Sequence, residues 1–78
     1  SALVVPEDAI ASRGQLQSVY VIDENGIARM RLVTLGRSFQ GSTEILSGLD
    51  SGERFVTKVN PRLRDGLQIA GASGSNSR

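Results

Sequence analysis

Hydrophobic and polar positions alternate most clearly between Val19 and Leu35. The stretch opens with the β-forming run Val19–Ile22, which ends at a polar break, Asp23–Gly26. Asn25-Gly26 within that break is a strong hairpin signal, because both residues tolerate the positive φ that matches a tight turn to the twist of its strands. A second run follows from Ile27 to Leu35. The pattern therefore predicts one long β-hairpin over residues 19–35.

The second run has charged residues at alternate positions. Arg29 and Arg31 alternate with Met30 and Leu32. Successive side chains in a strand point to opposite faces, so we expect the arginines to be exposed and Met30 and Leu32 to be buried. The alternation slips at Leu32-Val33, and a β-bulge or burial of both faces would account for the slip.

The residues before the hairpin contain a strand signal and a helical signal. Leu3–Val5 is a short apolar run, which predicts a strand that ends at Pro6. Glu7–Ile10 suits one helical turn, because a proline precedes it and two acidic residues lie in its first turn. Arg13-Gly14-Gln15 is typical of a turn.

Two glycines bracket the residues after the hairpin. Gly36–Gly41 is therefore expected to be a loop, and Phe39 is its one large apolar residue. Two interpretations of Phe39 stay open: it packs back onto the core, or it is exposed and contacts a partner. Ser42–Leu46 is expected to be the next strand.

The motif Leu-x-x-Gly-x-x-apolar occurs twice, fourteen positions apart, beginning at Leu49 and at Leu63. In each copy we expect the leucine to be buried and the glycine, Gly52 or Gly66, to have a positive φ in a corner turn. Strands should follow over Arg54–Val59 and Leu67–Ala70. The small polar residues 71–78 should form a disordered tail.

These elements predict an all-β domain over residues 1–70, a small antiparallel β-roll or barrel of about six strands with one short helical turn. The expected core consists of the apolar residues on the inward face of each element. These are Val5, Ile10, Val19, Val21, Met30, Leu32, Leu46, Leu49, Val56, Leu63 and Ile69.

Composition excludes several classes of function. The chain has 78 residues, no Cys and no His, which excludes disulfides, zinc sites built on those residues and Cys–His catalytic pairs. Its only aromatic residues are Tyr20, Phe39 and Phe55, too few for a nucleic-acid stacking platform. The formal charge of +1 implies neither a polyanionic partner nor an acidic membrane surface. No apolar run is long enough to span a bilayer.

Catalysis is not expected either. Glu7-Asp8 lies at a helical start and Asp23-Glu24 lies in a turn, where acidic residues are common for local structural reasons. No Gly-rich loop precedes a helix, so no phosphate-binding site is indicated. We therefore expect no catalytic residue, cofactor or metal. A ligand-binding module and a small nucleic-acid-binding barrel remain as alternatives, the latter supported only by a basic stripe at Arg29 and Arg31.

Five segments resemble one family in their order and spacing. They are Val5–Ile10, Val19–Asp23 with its turn, Arg31–Gly36, Ile45–Val56 and Leu63–Gly66. Together they resemble the C-terminal, membrane-proximal domain of periplasmic adaptor subunits, or membrane fusion proteins, of RND-type tripartite efflux pumps in Gram-negative bacteria. The resemblance covers roughly residues 3–70, and the order of the segments is more specific than any one of them.

This resemblance implies an antiparallel β-roll that is periplasmic and associated with the inner membrane without spanning it. It implies docking onto an inner-membrane RND transporter, contacts with other adaptor protomers and with adaptor domains absent from this chain, and a role in coupling to the outer-membrane channel for export of drugs or other small molecules. It also implies a strand from elsewhere in the parent protein, without which the edge of the first strand is open. The expected partner contacts are Arg37, Ser38, Phe39 and Gln40, followed by Arg29 and Arg31.

Overall fold

Six strands and one short helical turn make up the computed structural model, which describes residues 3–69. The strands are β1 (Leu3–Pro6), β2 (Ala11–Arg13), β3 (Leu16–Ile22), β4 (Ala28–Leu32), β5 (Thr34–Phe39) and β6 (Ser42–Ser47), with a 3-10 turn at Glu7–Ala9. They form two antiparallel three-stranded sheets: sheet I has the order β1-β6-β5, and sheet II has the order β2-β3-β4. The all-β prediction and the helical turn after Pro6 are confirmed, whereas β2 was not predicted.

The β3–β4 hairpin is confirmed, but its turn differs in detail from the prediction. Gly26 has a φ of 78°, and its amide donates to the Asp23 carbonyl oxygen at 3.0 Å. Asn25 does not have a positive φ. Instead, Oδ1 of Asp23 accepts hydrogen bonds from the amides of Asn25 (2.8 Å) and Ile27 (3.0 Å). Hydrogen bonds to the Asp23 side chain therefore stabilise this turn, and a positive φ at Asn25 is not needed.

The predicted second strand of the hairpin is wrong beyond Leu32. β4 ends there, and the chain passes through Val33 into β5, which pairs with β6 in the other sheet. Val33 keeps one bond to sheet II, since its amide donates to the Gln17 carbonyl oxygen at 2.9 Å. The slip in the hydrophobic pattern therefore marks the point where the chain crosses from sheet II to sheet I.

The predicted loop at residues 36–41 is also wrong, because most of it belongs to β5. Only Gln40 and Gly41 form the turn between the paired residues Phe39 and Ser42, and their φ values are 52° and 82°. Two consecutive positive φ values give the tight turn whose twist suits a hairpin. Gly36 lies inside the strand, next to the side chain of Glu44. A glycine occurs here because the Glu44 side chain leaves no room for a Cβ, and it does not indicate a loop.

The phase of β4 is opposite to the prediction. Arg31 pairs with Val19, and Arg29 pairs with Val21, so both arginines share the face of two buried valines. Arg29 is exposed, as expected, whereas Arg31 is only half-exposed. Met30 lies on the other face and is 47% exposed.

Three residues that we placed in the core are exposed because they lie on the outer face of their strand: Met30, Leu32 and Leu46. In β6, Thr43 and Ile45 point inward, which leaves Leu46 on the outer face with 60% exposure. Adjacent apolar residues such as Ile45 and Leu46 leave the inward face of a strand undetermined until the sheet has a partner.

The core is divided into two clusters, and β3 contributes to both because it is buried on both faces. The main core contains Val5, Ala9, Val19, Val21, Ile45 and Leu49. The second core contains Tyr20, Ala28 and Leu63, with half-buried residues of the C-terminal segment packed against it. Burial of Val5, Val19, Val21, Leu49 and Leu63 is thus confirmed, and Ile10, Val56 and Ile69 are half-buried.

Both Leu-x-x-Gly turns are confirmed. Leu49 and Leu63 are buried, and Gly52 and Gly66 each have a φ of 91°. The strands expected after them are wrong, because each segment makes only one isolated bridge to sheet II: Phe55 pairs with Val21, and Gln68 with Ile27.

These segments make only brief contact with the sheet. Beside Val21, the Ile22 amide bonds to Arg54 and the Val56 amide to Tyr20. The chain then turns away, and the Val59 amide bonds to Asp8 instead. Ala70 and the predicted tail at 71–78 lie outside the described residues.

The second turn covers the outer edge of β4. The amide of Ala28 donates to Leu67, its carbonyl accepts from Gly66, and the Met30 amide donates to Oδ1 of Asp65 at 2.9 Å. An uncovered edge of this kind would be open to pairing with another chain. The Asp65 carboxylate thus accepts the Met30 backbone N–H, which a further strand would otherwise use for pairing.

β1 lies at the edge of sheet I, so we expect the chain to self-associate through this edge or to exchange its first strand between two copies. Just after β1, the Glu7 amide donates to the Gly41 carbonyl oxygen. Hydrogen-bonded and non-hydrogen-bonded pairs alternate along an antiparallel ladder, so the N–H and C=O groups of Val4 point away from β6. Sedimentation across a concentration series should show association that persists at high salt, because backbone hydrogen bonds and apolar contacts drive it. Val4→Pro removes the outward N–H and should give a folded monomer. A wild-type chain that is monomeric at every concentration contradicts the prediction.

Candidate docking surface

The outer face of sheet I carries an exposed apolar cluster, which we call the outer patch and define as Val4, Arg37, Phe39 and Leu46. Val4 pairs with Glu44, and Phe39 pairs with Ser42, on the face opposite the buried Thr43 and Ile45. Val4 is 52% exposed and Phe39 is 73% exposed. Three apolar side chains therefore face solvent from three strands of one sheet.

The structure brings most of the sequence-predicted contact residues to this patch. Arg37, Phe39 and Gln40 line one shallow concavity with Val4 at the β5–β6 turn. Ser38 is exposed, but it pairs with the buried Thr43, and the two hydroxyl oxygens lie 3.1 Å apart. Its hydroxyl therefore points toward the other face of β5.

Val4 and Leu46 belong to the same surface but were missed by sequence reasoning. We assigned both to strands, and the apolar neighbours Val5 and Ile45 made either face possible. Thr43 and Ile45, two positions apart, lie on the same face of β6. This spacing predicts the buried face only if a threonine is allowed in the core. Thr43 is 2% exposed, and its hydroxyl is hydrogen-bonded to Ser38, which makes its burial possible.

The outer patch has one cation, Arg37, without an anionic partner in the described part of the chain. Arg29 and Arg31 form ion pairs, whereas the Arg37 guanidinium has no carboxylate of residues 3–69 within salt-bridge distance. Glu44 lies nearby, and its Oε1 accepts the Arg37 backbone amide at 3.3 Å. An apolar surface with a free guanidinium at its rim is suited to contact with a protein partner.

Arg29 and Arg31 do not join this patch, because they lie on β4 in sheet II. Nε of Arg29 is 3.2 Å from Oδ2 of Asp23, and Nη1 of Arg31 is 2.5 Å from Oε1 of Glu53. Glu53 also accepts the Asp50 amide at 2.9 Å, so the ion pair ties β4 to the first Leu-x-x-Gly turn. The basic stripe predicted from the sequence is therefore neutralised by intramolecular pairing.

Both carboxylates of these pairs have a lowered pKa. The Ile27 amide is the largest cause of the lowered pKa of Asp23, and hydrogen bonds from Asn25 and Arg29 add to it. The Asp50 amide is the largest cause of the lowered pKa of Glu53, followed by the hydrogen bond from Arg31. Hydrogen bonds to a carboxylate stabilise its charged form, and desolvation opposes them.

A carboxyl group whose pKa falls on folding stabilises the fold above its unfolded pKa and loses that contribution as the pH drops through its folded value. For Glu53, whose ordinary pKa is 4.5, the loss lies below about that pH. Glu53→Gln should therefore be less stable than wild type at neutral pH, and the difference should shrink from pH 5 to pH 3. Urea unfolding across this range measures it, with Glu24→Gln as an exposed control. A difference that is constant with pH contradicts the prediction.

Within residues 3–69, no group of three or more acidic side chains is placed to hold a metal ion. The acidic residues that lie close to cations are instead used in turns, as the Asp23 and Glu53 contacts show. The hydrogen bonds and ion pairs of Asp23 and Glu53 thus stabilise turns, and the outer patch is the exposed feature that contains most of the predicted contact residues.

Residues 2–71 match the family model described as "YknX, C-terminal permuted SH3-like domain". The chain belongs to this family. The two small antiparallel sheets and the corner turns fit such an all-β domain. The resemblance to the C-terminal domain of membrane fusion adaptors is confirmed, and neither the family nor the relatives below indicate an enzyme.

Curated relatives of this permuted SH3-like domain carry efflux names. The chain is 35% identical over 57 residues to "Efflux pump periplasmic linker BepD" of Brucella suis, which covers 73% of the chain and 14% of the relative. It is 33% identical over 69 residues to "Multidrug resistance protein MdtA" of Yersinia enterocolitica, and this match covers 88% of the chain and 16% of the relative. MdtA of Erwinia amylovora is 33% identical over 67 residues, which covers 86% of the chain and 16% of the relative. The chain thus spans about one sixth of the length of these relatives.

Proposed function

We propose that this permuted SH3-like domain is a non-catalytic docking domain of a periplasmic efflux adaptor. It contacts an inner-membrane RND transporter through the outer patch and helps couple that transporter to an outer-membrane channel, so that drugs or other small molecules are exported. The observation that carries the proposal is the exposed apolar face of sheet I in a domain whose relatives are named as efflux linkers and multidrug resistance proteins.

The outer patch has the composition of a contact surface. A large exposed aromatic residue, Phe39, lies at the end of a hairpin, where a partner can surround it. Aromatic and arginine side chains carry a large share of the binding energy at protein interfaces, and Arg37 is adjacent. The tight turn at Gln40-Gly41 fixes the pairs Phe39–Ser42 and Ser38–Thr43, so Phe39 is preformed for contact and little conformational entropy is lost there on docking.

The location and the other partners belong to the same proposal. The parent protein is periplasmic and associated with the inner membrane, and other adaptor protomers and the remaining adaptor domains are its neighbours. In the described part of the chain, no helix is long and apolar enough to cross a bilayer. Residues 1–70 are the docking domain, and residues 71–78 are its tail.

Nucleic-acid binding is not favoured by any observation. Its support was the arginine pair on β4, and both guanidinium groups now have carboxylate partners. A phosphate would have to displace Asp23 or Glu53 at each site, which lowers the gain from counterion release. The outer patch offers a single guanidinium among apolar side chains, and the Glu44 carboxylate lines the same concavity, which is a poor match for a phosphate backbone.

The test measures binding of the 78-residue chain to an RND-type transporter of its own organism, held in lipid nanodiscs. Phe39→Ser should weaken binding at least tenfold, because it removes the central apolar contact. Since Phe39 is 73% exposed, the free energy of unfolding should change by less than about 0.5 kcal/mol.

Leu16→Ser is the matched control, because Leu16 is 59% exposed but lies on sheet II. It should leave the affinity for the transporter unchanged. Equal losses for the two variants, or no binding by the wild-type chain, would overturn the proposal.

A further inference from the structure

The exposed face of sheet II contains a groove whose shape follows from its register. Ala11, Ser18 and Leu32 lie side by side on β2, β3 and β4. The first two are small and form a floor, with Leu32 along one flank. Leu16 lies at one end of this floor along β3, and Tyr20 with Met30 lies at the other end. Small residues between larger neighbours leave a depression in an otherwise continuous sheet face. We call this depression the sheet II groove.

The walls of the groove are apolar and open to solvent. Leu16 is 59% exposed, Leu32 is 53% exposed and Met30 is 47% exposed. Ser18 in the floor is buried, and its hydroxyl makes only a long bond of 3.4 Å to the Ala11 carbonyl oxygen. At its far end, Tyr20 is covered by Leu63 and the C-terminal segment, which closes the groove on that side.

Arg13 lies at the open end and is the one charged residue that lines the groove. It is exposed, pairs with Leu16 across the β2–β3 ladder, and has no ion pair among residues 3–69. A guanidinium at one end of an apolar channel is complementary to a molecule with an anionic head and an apolar body.

The size of the surface argues against a second copy of the chain as occupant. Three half-exposed side chains supply on the order of 300 Å², whereas a stable dimer buries about 800 Å² on each partner. Along β3 the groove extends from Leu16 to Tyr20, which is about 13 Å at 3.3 Å per residue. That length matches one extended alkyl chain of about ten carbon atoms.

We propose that the sheet II groove binds one monomeric anionic amphiphile, with its apolar chain along Leu16, Leu32 and Met30 and its carboxylate or sulfate on Arg13. This ligand site goes beyond the docking function and does not depend on it, because the outer patch lies on the other sheet.

The experiment titrates the 78-residue chain with decanoate, decanol and decyltrimethylammonium, each below its micellar concentration. Binding is followed by amide chemical shifts and calorimetry. Decanoate should bind about threefold more tightly than decanol, as expected for one exposed charge pair, and the ammonium compound more weakly still. Shifts should concentrate at β2, the start of β3 and β4.

Arg13→Gln should abolish the preference for decanoate over decanol while decanol binding stays the same. Ala11→Leu fills the floor and should reduce binding of all three probes, and Arg62→Gln, an exposed arginine outside the groove, is the matched control. The proposal is overturned if decanoate and decanol bind equally to wild type, or if shifts centre on Phe39 and Val4. Binding to phosphatidylglycerol vesicles without binding of monomeric decanoate also overturns it, because it identifies a membrane surface as the occupant.

Discussion

Gly48→Ala should destabilise the domain by about 3 kcal/mol or more, enough to leave much of a marginally stable small domain unfolded. Gly48 follows β6 and has a φ of 102°, which L-residues rarely adopt. A Cβ at this position would collide with the Leu32 carbonyl oxygen and crowd the Cα of Val33 at 2.9 Å. Both are backbone atoms at the crossing between the two sheets, so they cannot move aside without shifting a strand.

The control for this prediction is Gly52→Ala. Gly52 also has a positive φ, 91°, but nothing lies within 4 Å of the position that its Cβ would occupy. Its substitution should cost only the conformational strain, about 1 kcal/mol. Urea unfolding of both variants separates strain from steric collision, and equal losses of stability would show that the crossing tolerates a methyl group.

Leu63→Ala should cost about 2–4 kcal/mol, because it empties the centre of the second core. Leu63 is 8% exposed and packs with Tyr20 and Ala28. It also anchors the segment that bonds to the edge of β4 at Ala28 and Met30. Hydrogen exchange at these two amides should accelerate more than exchange at Val5, which belongs to the main core.

Leu46→Ala is the matched control, since it makes the same chemical change at a leucine that is 60% exposed. Its free energy of unfolding should stay within about 0.5 kcal/mol of wild type. A large loss at Leu46 with a small one at Leu63 would mean that the inward face of β6 and the role of the second turn are both misassigned.

Features governed by neighbouring residues were predictable from the sequence. Pro6 followed by two acidic residues predicted a helical turn, and the structure has a 3-10 turn there. The repeated Leu-x-x-Gly motif predicted two corners with a buried leucine and a glycine of positive φ, and both are present. Such signals are reliable because the allowed φ of Gly and Pro depends on local sterics rather than on distant contacts.

The candidate docking surface was predictable only in part. The isolated aromatic Phe39 and its neighbour Arg37 were expected to be partner contacts, and the structure places both on the outer face of sheet I. Val4 and Leu46 complete the patch only after the β1–β6 register is known. Conversely, Arg29 and Arg31 were expected to be exposed partner contacts. The hairpin pairs Arg29 with Asp23, and only the tertiary fold brings Glu53 to Arg31.

By itself, the sequence determined that this chain is an all-β domain of the membrane fusion adaptor type, with its hairpin and its corner turns. The tertiary structure alone decided which face of β4 and β6 is buried, and that the chain changes sheets at Val33. The reason is that alternation defines two faces of a strand but does not say which is inner. That choice depends on what packs against the strand, and here Arg31 on the inner face of β4 is accommodated because the carboxylate of Glu53, 22 residues away in the sequence, pairs with it.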